Sequence, residues 1–225
     1  MKIARTPHAW SVSPKQAVAI QRKLSGRIIR RGRPRRIRLI AGVDLAFLPD
    51  KTHCVAAVVV WDIRAQDVLE QHVLRRPVEF PYVPGLLSFR EAPAILAVLR
   101  KLDTEPDAFM FDGQGYAHPR RFGLASHVGL LIDRPSLGCA KSVLVGTFKM
   151  PLSMRRSRTP LVDDGECIGM AVRTREKVKP VYVSVGHRIS LEAAVDVTLA
   201  STTRYRIPEP TRLADKLVAL EKTRI

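Results

Sequence analysis

The chain of 225 residues has few cysteines, no long apolar run and no signal-like start. The three cysteines, Cys54, Cys139 and Cys167, include no CxxC pair, which argues against a disulfide framework and a thiolate zinc site. We expect three buried, reduced thiols. No apolar stretch approaches the ~20 residues that span a bilayer, so we expect no membrane partner. The opening residues lack a signal-peptide core, and we expect a cytoplasmic protein.

Internal repeats and low-complexity linkers are also missing. A length of 225 residues with 46% hydrophobic content is sufficient for a sizeable core. We therefore predict a single domain over residues 1–225. No apolar heptad pattern is present, and we expect a monomer.

Acidic residues are outnumbered, with 21 Asp and Glu against 38 Lys and Arg, for a net charge of +17. This excess predicts a nucleic-acid partner, since phosphates neutralised by Lys or Arg release counterions. Much of it lies in residues 22–38, which we call the basic segment. The basic segment contains Arg22, Lys23, Arg27, Arg30, Arg31, Arg33, Arg35, Arg36 and Arg38. It either follows phosphates or is a solvated loop with no defined contact.

Local signals in the first third of the chain predict one helix and three strands. Ser13 as N-cap and Pro14 at the first helical position begin a helix that ends near Gly26. Three runs rich in Val and Ile follow, with short links that favour antiparallel hairpins. These runs are Ile37 to Leu48, His53 to Ile63 and Asp67 to Leu74.

The rest of the chain alternates helices with strands. We predict a helix from Phe89 to Leu102, with Pro93 in its first turn, and a buried strand at Ala108 to Phe111. A helix at Arg121 to Leu131 and a strand at Val143 to Gly146 follow. The last predicted elements are a hairpin of Val172 to Arg173 with Val181 to Val185, and helices from Ser190 and Thr211. The fold class is α/β, with a mixed sheet of three antiparallel strands plus parallel strands, flanked by helices.

Three carboxylates stand where a charge is costly or where α/β proteins place their sites. Asp44 lies inside the apolar run LIAGVDLAF, and Asp112 ends a buried strand. Glu91 has Leu87 and Ile95 four residues to either side, so it faces the sheet. A turn-capping Asp44 and a helix-start Glu91 are the plainer interpretations. Together the three would be hard oxygen ligands for Mg²⁺ or Mn²⁺, as in a metal-dependent nuclease.

Three further residues could support such chemistry. His118 could orient a phosphate or move a proton, and a structural role is the alternative. Lys141 could meet a scissile phosphate from a loop before a strand, and a surface lysine is the alternative. Asp215 falls off the face made by Leu213, Leu217 and Leu220, so periodicity alone makes it a surface residue.

Tyr82 is held between Pro81 and Pro84, whose fixed backbone angles make the loop stiff. An aromatic side chain projecting from such a loop, beside an inward Glu91, suggests a wedge next to a catalytic centre.

Five segments in order along the chain resemble the endonuclease V family. They are GVDLAF at 42–47, PYVPGLLSFRE at 81–91, DGQGYAHPRRFGLASHVG at 112–129, GCAKSVLVG at 138–146 and PTRLAD at 210–215. The resemblance covers most of the chain from residue 40 onward, while residues 1–35 carry no such motif.

The resemblance implies a ribonuclease-H-like fold and a Mg²⁺-dependent DNA-repair endonuclease that acts on deaminated bases, chiefly deoxyinosine. Such enzymes cut the second phosphodiester bond 3′ to the lesion and leave 3′-hydroxyl and 5′-phosphate ends. Carried over by motif, Asp44 and Asp112 bind metal and Glu91 is the catalytic carboxylate. Tyr82 becomes the wedge that fills the duplex where the damaged base is turned out.

The resemblance also implies a lesion pocket near Gly85, Leu87, Gly113 and Gly138, where backbone groups could close around the base. Some relatives have histidine where this chain has Asp215, which leaves the role of Asp215 open. Three alternatives remain at this point: an inosine-specific endoribonuclease, another ribonuclease-H-like nuclease such as a resolvase, and a non-catalytic nucleic-acid-binding protein.

Overall fold

The computed structural model describes residues 1–224, which form one eight-stranded sheet with helices packed on both faces. The strands are β1 (Leu39–Phe47), β2 (His53–Asp62), β3 (Asp67–Pro77), β4 (Ala108–Phe111), β5 (Ser136–Ala140), β6 (Arg158–Asp163), β7 (Glu166–Val172) and β8 (Val181–His187). The helices are α1 (Pro14–Ser25), α2 (Leu87–Leu99), α3 (Leu124–Ile132), α4 (Leu191–Ala200) and α5 (Glu209–Lys222).

The sheet is mixed, with strand order β3-β2-β1-β4-β5-β8-β7-β6. Strands β1, β2 and β3 pair antiparallel, while β4 runs parallel to β1 and β5 parallel to β4. Strands β8, β7 and β6 continue the sheet antiparallel. The predicted class, three antiparallel strands joined to parallel strands and flanked by helices, is confirmed.

Local capping chemistry determines two helix starts as predicted. Ser13 Oγ accepts a hydrogen bond from the Gln16 N–H at 3.3 Å, and Gln16 Oε1 accepts one from the Ser13 N–H at 2.8 Å. This reciprocal capping box begins α1, which ends at Ser25 with Gly26 as its C-cap. Ser190 caps α4 through a single bond, its Oγ accepting from the Ala193 N–H.

One predicted strand is wrong, because residues 143–146 form no strand and the real strand is β5, a few residues earlier. The segment SLGCA is too small and too poor in β-branched residues to predict a strand. Tertiary packing selects it instead, since a Cβ at Gly138 would overlap the Gly113 carbonyl on the turn after β4. Lys141 therefore directly follows a strand rather than preceding one.

The expectation that Pro93 lies in a first helical turn is also wrong. Helix α2 begins at Leu87, two residues earlier than predicted, so Pro93 is inside it. The Phe89 carbonyl loses its helical donor there. The helix continues because its apolar face, with Ile95 and Leu99 almost fully buried, packs on the sheet.

The late hairpin is confirmed, with Val172 opposite Val181 in the β7–β8 pair. Strand β6 extends it through the turn at Asp164 and Gly165, where both residues have positive φ. Helices α3 and α5 begin at Leu124 and Glu209 instead of Arg121 and Thr211.

The two sheet faces bury different helices. Ala56 and Val58 of β2 pack with α2 and α3, whereas Val55 and Ala57 pack with Val218 of α5 on the other face. Helix α4 lies on that second face as well, over β5 and β8. None of the helices in residues 1–224 is both long and apolar enough to cross a membrane.

The cysteine expectation is right for two of the three residues. Cys54 and Cys139 are buried free thiols, but Cys167 is exposed, so its predicted burial is wrong. Cys167 lies in β7 near the turn to β6, close to an edge of the sheet, where strand alternation leaves its side chain in solvent.

Candidate active site

Asp44 and Asp112 are neighbours because of the parallel register between β1 and β4. Val43 lies opposite Phe111 in that register, Asp44 is the next residue of β1, and Asp112 directly follows β4. The Asp112 N–H donates to the Val43 carbonyl at 3.2 Å, which fixes the point where the two strands part. The two carboxylates therefore meet at the carboxyl end of the central parallel strands, where α/β folds place ligands.

Glu91 brings a third carboxylate to this region from α2. It is 8% exposed, and burial together with the charges of Asp44 and Asp112 raises the pKa of Glu91 to about 8. Burial and the Asp112 charge raise the pKa of Asp44 to about 7. The three predicted carboxylates are thus within electrostatic reach of one another, and their mutual repulsion favours a bound cation.

Lys141 supplies a cation to the cluster. Its Nζ lies 2.6 Å from Asp112 Oδ2. Burial acts to lower the pKa of Lys141, but the hydrogen bond and charge of Asp112 hold it above its usual value. The ammonium is exposed at the end of β5, so it can face solvent and the carboxylates together.

Asp215 is exposed on α5, as periodicity predicted, yet its charge reaches the cluster and helps to raise the pKa of Asp44. Gly42 makes this possible, because a Cβ there would overlap the Pro210 carbonyl at the start of α5. The close approach of helix to strand brings Asp215 toward Asp44. Helical periodicity contains no information about that contact.

The donor chemistry of the cluster fits a hard divalent cation, because carboxylates held close together in a partly buried site gain most from a nearby positive charge. Among residues 1–224, however, no group of three or more His, Cys, Asp or Glu side chains is arranged to hold an ion. One of the expected ligands, Asp112, is instead paired with Lys141. Metal binding would require small side-chain rotations and a shift of that ammonium.

The Tyr82 side chain is 70% exposed and projects from the loop before α2. The loop is held at the Gly85 carbonyl, which accepts hydrogen bonds from Gln21 Nε2 at 3.1 Å, His118 Nε2 at 3.1 Å and Arg120 Nη2 at 2.6 Å. Gln21 and Arg120 were not singled out from the sequence. The arginine pair in AHPRR was an available signal for Arg120, but nothing local marked Gln21 in α1.

His118 contacts this loop through one nitrogen and accepts from the Arg120 N–H through the other, at 3.1 Å. It is 4% exposed, and burial, reinforced by the Arg120 charge, lowers the pKa of His118 to about 4. The imidazole is therefore neutral near pH 7, with Nε2 as the donor. Proton transfer at His118 would require the Gly85 contact to break, so the geometry favours a positioning role.

A cavity of about 180 Å³ lies beside Tyr82. Gly85 and Leu87 line it, together with His118, Gln114 and Leu144, whereas Gly113 and Gly138 do not. Gly138 is instead packed against the turn that contains Gly113. Gln114 donates from Nε2 to the Ser142 carbonyl at 2.8 Å, and its buried Oε1 accepts no hydrogen bond within residues 1–224.

Comparison with known proteins identifies the family. A family model described as Endonuclease V matches residues 22–216. The chain belongs to the endonuclease V family. It is accordingly a nuclease, a hydrolase of the endonuclease class associated with DNA repair.

Relatives of the endonuclease V family match along nearly the whole chain. An endonuclease V from Roseiflexus sp. is 51% identical over 93% of this chain and 94% of its own length. Endonuclease V from Streptomyces avermitilis has 43% sequence identity to this chain, with 100% of both chains covered. Its crystal structure superposes on this one with a TM-score of 0.90.

One solved relative contains nucleic acid. Endonuclease V from Ciona intestinalis, 27% identical with a TM-score of 0.82, covers 93% of this chain and 97% of its own. Its crystal structure is a complex with a 24mer DNA that contains an inosine followed by a ribo-adenosine.

Proposed function

We propose that this protein is a metal-dependent endonuclease that cuts DNA at deaminated bases, chiefly deoxyinosine. The cut falls at the second phosphodiester bond 3′ to the lesion and leaves 3′-hydroxyl and 5′-phosphate ends. The carboxylate cluster of Asp44, Glu91 and Asp112 beside an exposed aromatic wedge carries this proposal. The inosine-containing ligand of the Ciona intestinalis relative supports the substrate.

Asp44 and Asp112 would hold the ion, and Glu91 would complete the oxygen ligands. Mg²⁺ is the expected ion, with Mn²⁺ able to replace it, because both prefer carboxylate oxygens. When bound, such an ion lowers the pKa of attacking water and neutralises charge on the phosphate.

The chain's own groups would handle protons and phosphate charge. Without an ion, burial and the neighbouring carboxylates raise the pKa of Glu91 to about 8, so the group is mostly protonated near neutral pH. A cation bound beside it would favour the ionised form, which would then accept the proton of the attacking water. Lys141 Nζ, now on Asp112, would donate to a non-bridging phosphate oxygen as negative charge develops.

Recognition of the damaged base would use Tyr82 and the cavity beside it. Tyr82 would take the place of the extruded base, and the base would enter the cavity lined by Gly85, Leu87 and Gln114. The buried Gln114 Oε1 is an acceptor suited to the N1–H of hypoxanthine, where adenine has no donor. The basic segment and the overall charge would attract the phosphate backbone.

Inosine in RNA is the second candidate substrate, because the ligand of the Ciona intestinalis relative has a ribose at the position after inosine. A test must therefore compare inosine in DNA with inosine in RNA.

The decisive experiment incubates the purified protein and Asp44→Ala with duplexes that carry one deoxyinosine, one inosine in RNA, or neither. Each is assayed with Mg²⁺ and with EDTA, and products are sized on a sequencing gel. We expect wild type to nick the deoxyinosine strand one nucleotide 3′ of the lesion with Mg²⁺ only, and Asp44→Ala to lose at least about 100-fold in rate. Equal nicking by Asp44→Ala, or nicking in EDTA, would overturn the mechanism. If only the inosine-containing RNA is cut, the protein is an endoribonuclease rather than a DNA endonuclease.

A further inference from the structure

The loop between α4 and α5 carries an exposed aromatic side chain associated with two arginines. Tyr205 is 38% exposed. The guanidinium carbon of Arg212 lies 4.2 Å from the ring centroid, and that of Arg204 lies 5.0 Å from it. Aromatic rings and guanidinium planes are the two surfaces on which proteins stack nucleic-acid bases. The sequence motifs gave this tyrosine no role.

The loop is rigidly tied to the candidate active site. Arg206 donates to the carbonyls of Lys141 at 3.0 Å, Lys179 at 2.9 Å and Pro180 at 2.8 Å. Its own carbonyl accepts from Thr174 Oγ1 at 2.7 Å. Tyr205 is therefore positioned before any ligand arrives, one residue from a side chain that holds the backbone of Lys141.

The arginine beside the ring is also fixed. Arg212 Nε donates at 2.8 Å to Glu209, a carboxylate that is 4% exposed. Arg212 precedes Asp215 by about one turn of α5, so the guanidinium beside the Tyr205 ring lies on the same helix as the carboxylate whose charge reaches Asp44. Arg204 is exposed and makes no side-chain hydrogen bond or ion pair within residues 1–224, so its guanidinium can move from the ring to a phosphate.

The loops that carry Tyr82 and Tyr205 lead into helices on opposite faces of the sheet. Tyr82 precedes α2, which packs on one sheet face, whereas Tyr205 precedes α5, which packs on the other. Asp44 and Asp112 stand at the strand ends between them. A strand with one nucleotide at Tyr82 and its phosphate at the carboxylates would continue toward Tyr205.

Further positive charge surrounds the loop. Arg155 Nη2 donates to the Thr202 carbonyl at 3.2 Å, and Arg175 donates to the Arg204 carbonyl. These backbone contacts leave the charge of each guanidinium unneutralised by a carboxylate among the described residues. Such a surface attracts the phosphates that flank a stacked base.

We propose that Tyr205, with Arg204 and Arg212, forms a second strand-binding platform for the nucleotides 3′ of the scissile phosphate. The direction rests on the proposed function, since it assumes that the lesion lies at Tyr82 and the cut lies 3′ of it. A base on this strand stacks on the Tyr205 ring or its guanidiniums, and Arg204 moves to the adjoining phosphate. The platform holds the 3′ product side of the strand while Tyr82 holds the lesion side.

The test uses fluorescence anisotropy in EDTA with two single strands that contain deoxyinosine. One ends a single nucleotide past the cut, and the other extends roughly eight nucleotides further, within the ~4–16 that single-strand sites span. We expect Tyr205→Ala to raise the Kd of the long strand about tenfold, the loss of one stacked base, and that of the short strand less than about twofold. Tyr205→Phe should retain wild-type binding of both strands.

Arg204→Ala provides a second test that does not depend on the tyrosine, since its side chain has no structural hydrogen bond within residues 1–224. Arg204→Ala should raise the Kd of the long strand by about threefold to tenfold and leave the Kd of the short strand unchanged. Arg134→Ala is the matched control, because it removes the same charge from an exposed pair with Glu105 elsewhere. The platform proposal would be overturned if Tyr205→Ala and Arg204→Ala weakened binding of both strands equally. It would also be overturned if neither variant weakened binding of either strand.

The outcomes separate this proposal from the proposed function. If wild type fails to nick deoxyinosine but its preference for the longer strand still depends on Tyr205, the function fails and the platform stands. If wild type nicks as proposed and neither platform variant shows the length effect, the platform alone fails.

Discussion

The Lys141 ammonium lies 2.6 Å from Oδ2 of Asp112, at the point where β4 and β5 end side by side. Because Asp44 is adjacent to Asp112, this lysine is the local counter-charge to two carboxylates. Lys141→Met keeps the bulk and removes the charge. We expect it to destabilise the metal-free protein by about 1 kcal/mol, a modest value because the ammonium is half exposed. Cleavage should fall by about 100-fold or more, because phosphate charge loses a donor.

Differential scanning fluorimetry in EDTA and with Mg²⁺ would measure the first effect, and single-turnover nicking would measure the second. Lys141→Arg keeps the charge and should retain the metal-free melting temperature. A Lys141→Met protein with wild-type melting and wild-type nicking would contradict this role.

The pKa of Glu91 makes the stability of the metal-free protein depend on pH. The pKa of Glu91 rises from 4.5 to about 8, so the folded state binds more protons than the unfolded state between those values. Stability is therefore highest below about pH 4.5 for this group and falls as pH rises toward about 8. Glu91→Gln should reduce this fall and melt higher than wild type near pH 8, while cleavage is lost.

Thermal melts in EDTA from about pH 5 to about pH 9 would test the sign. Glu105→Gln, at a largely exposed carboxylate, is the control and should keep the wild-type slope. Identical slopes for wild type and Glu91→Gln would show that the Glu91 carboxyl is already ionised in the fold.

Tyr82 should affect binding without affecting stability, because its side chain is 70% exposed. We expect Tyr82→Ala to change the melting temperature by less than about 2 °C and to weaken binding of deoxyinosine duplex about tenfold, since the extruded base leaves a gap without a stacking partner. Tyr82→Phe should bind like wild type. Leu152→Ala, at another side chain that is 70% exposed, controls for lost apolar surface.

Electrophoretic mobility shifts with inosine and undamaged duplexes would measure this difference. If Tyr82→Ala keeps the full wild-type preference for inosine duplex over undamaged duplex, Tyr82 has no role in lesion recognition.

The basic segment contains two groups of three arginines that should behave differently. The paired group is Arg30, Arg33 and Arg38, which lie within 2.9 Å of Glu166, Asp196 and Asp62 respectively. The exposed group, without carboxylate partners among residues 1–224, is Arg31, Arg35 and Arg36. Replacing the exposed group with glutamine should reduce the slope of log K against log salt by up to ~2.7 on undamaged duplex. Replacing the paired group should lower the melting temperature and change the slope less.

Salt titrations of both triple variants provide the comparison, with net charge matched between them. If replacing the exposed group leaves the slope of log K against log salt unchanged, the basic segment is a solvated loop that does not contact DNA phosphates.

Much of the fold follows from local sequence. Ser13 with Gln16 begins α1, and Ser190 begins α4, because their side chains satisfy free backbone N–H groups of the first turn. Strands β1 to β3 were predicted within a few residues, since Val-rich runs joined by short links specify hairpins. Elements that depend on distant neighbours were missed or displaced, as with β5, whose small residues fit against the turn after β4.

The candidate site also combines features set by local sequence with features set by distant neighbours. The sequence by itself determined that Asp44, Glu91 and Asp112 are carboxylates in apolar surroundings and that Tyr82 stands on a stiff loop, because cost of burial and proline geometry are local properties. Only the tertiary structure decided that Lys141 pairs with Asp112 and that His118 holds the Gly85 carbonyl. It also decided that the loops of Tyr82 and Tyr205 lead into helices on opposite faces of the sheet. Those relationships depend on strand register and on helices meeting opposite sheet faces. Periodicity along one segment carries no record of either.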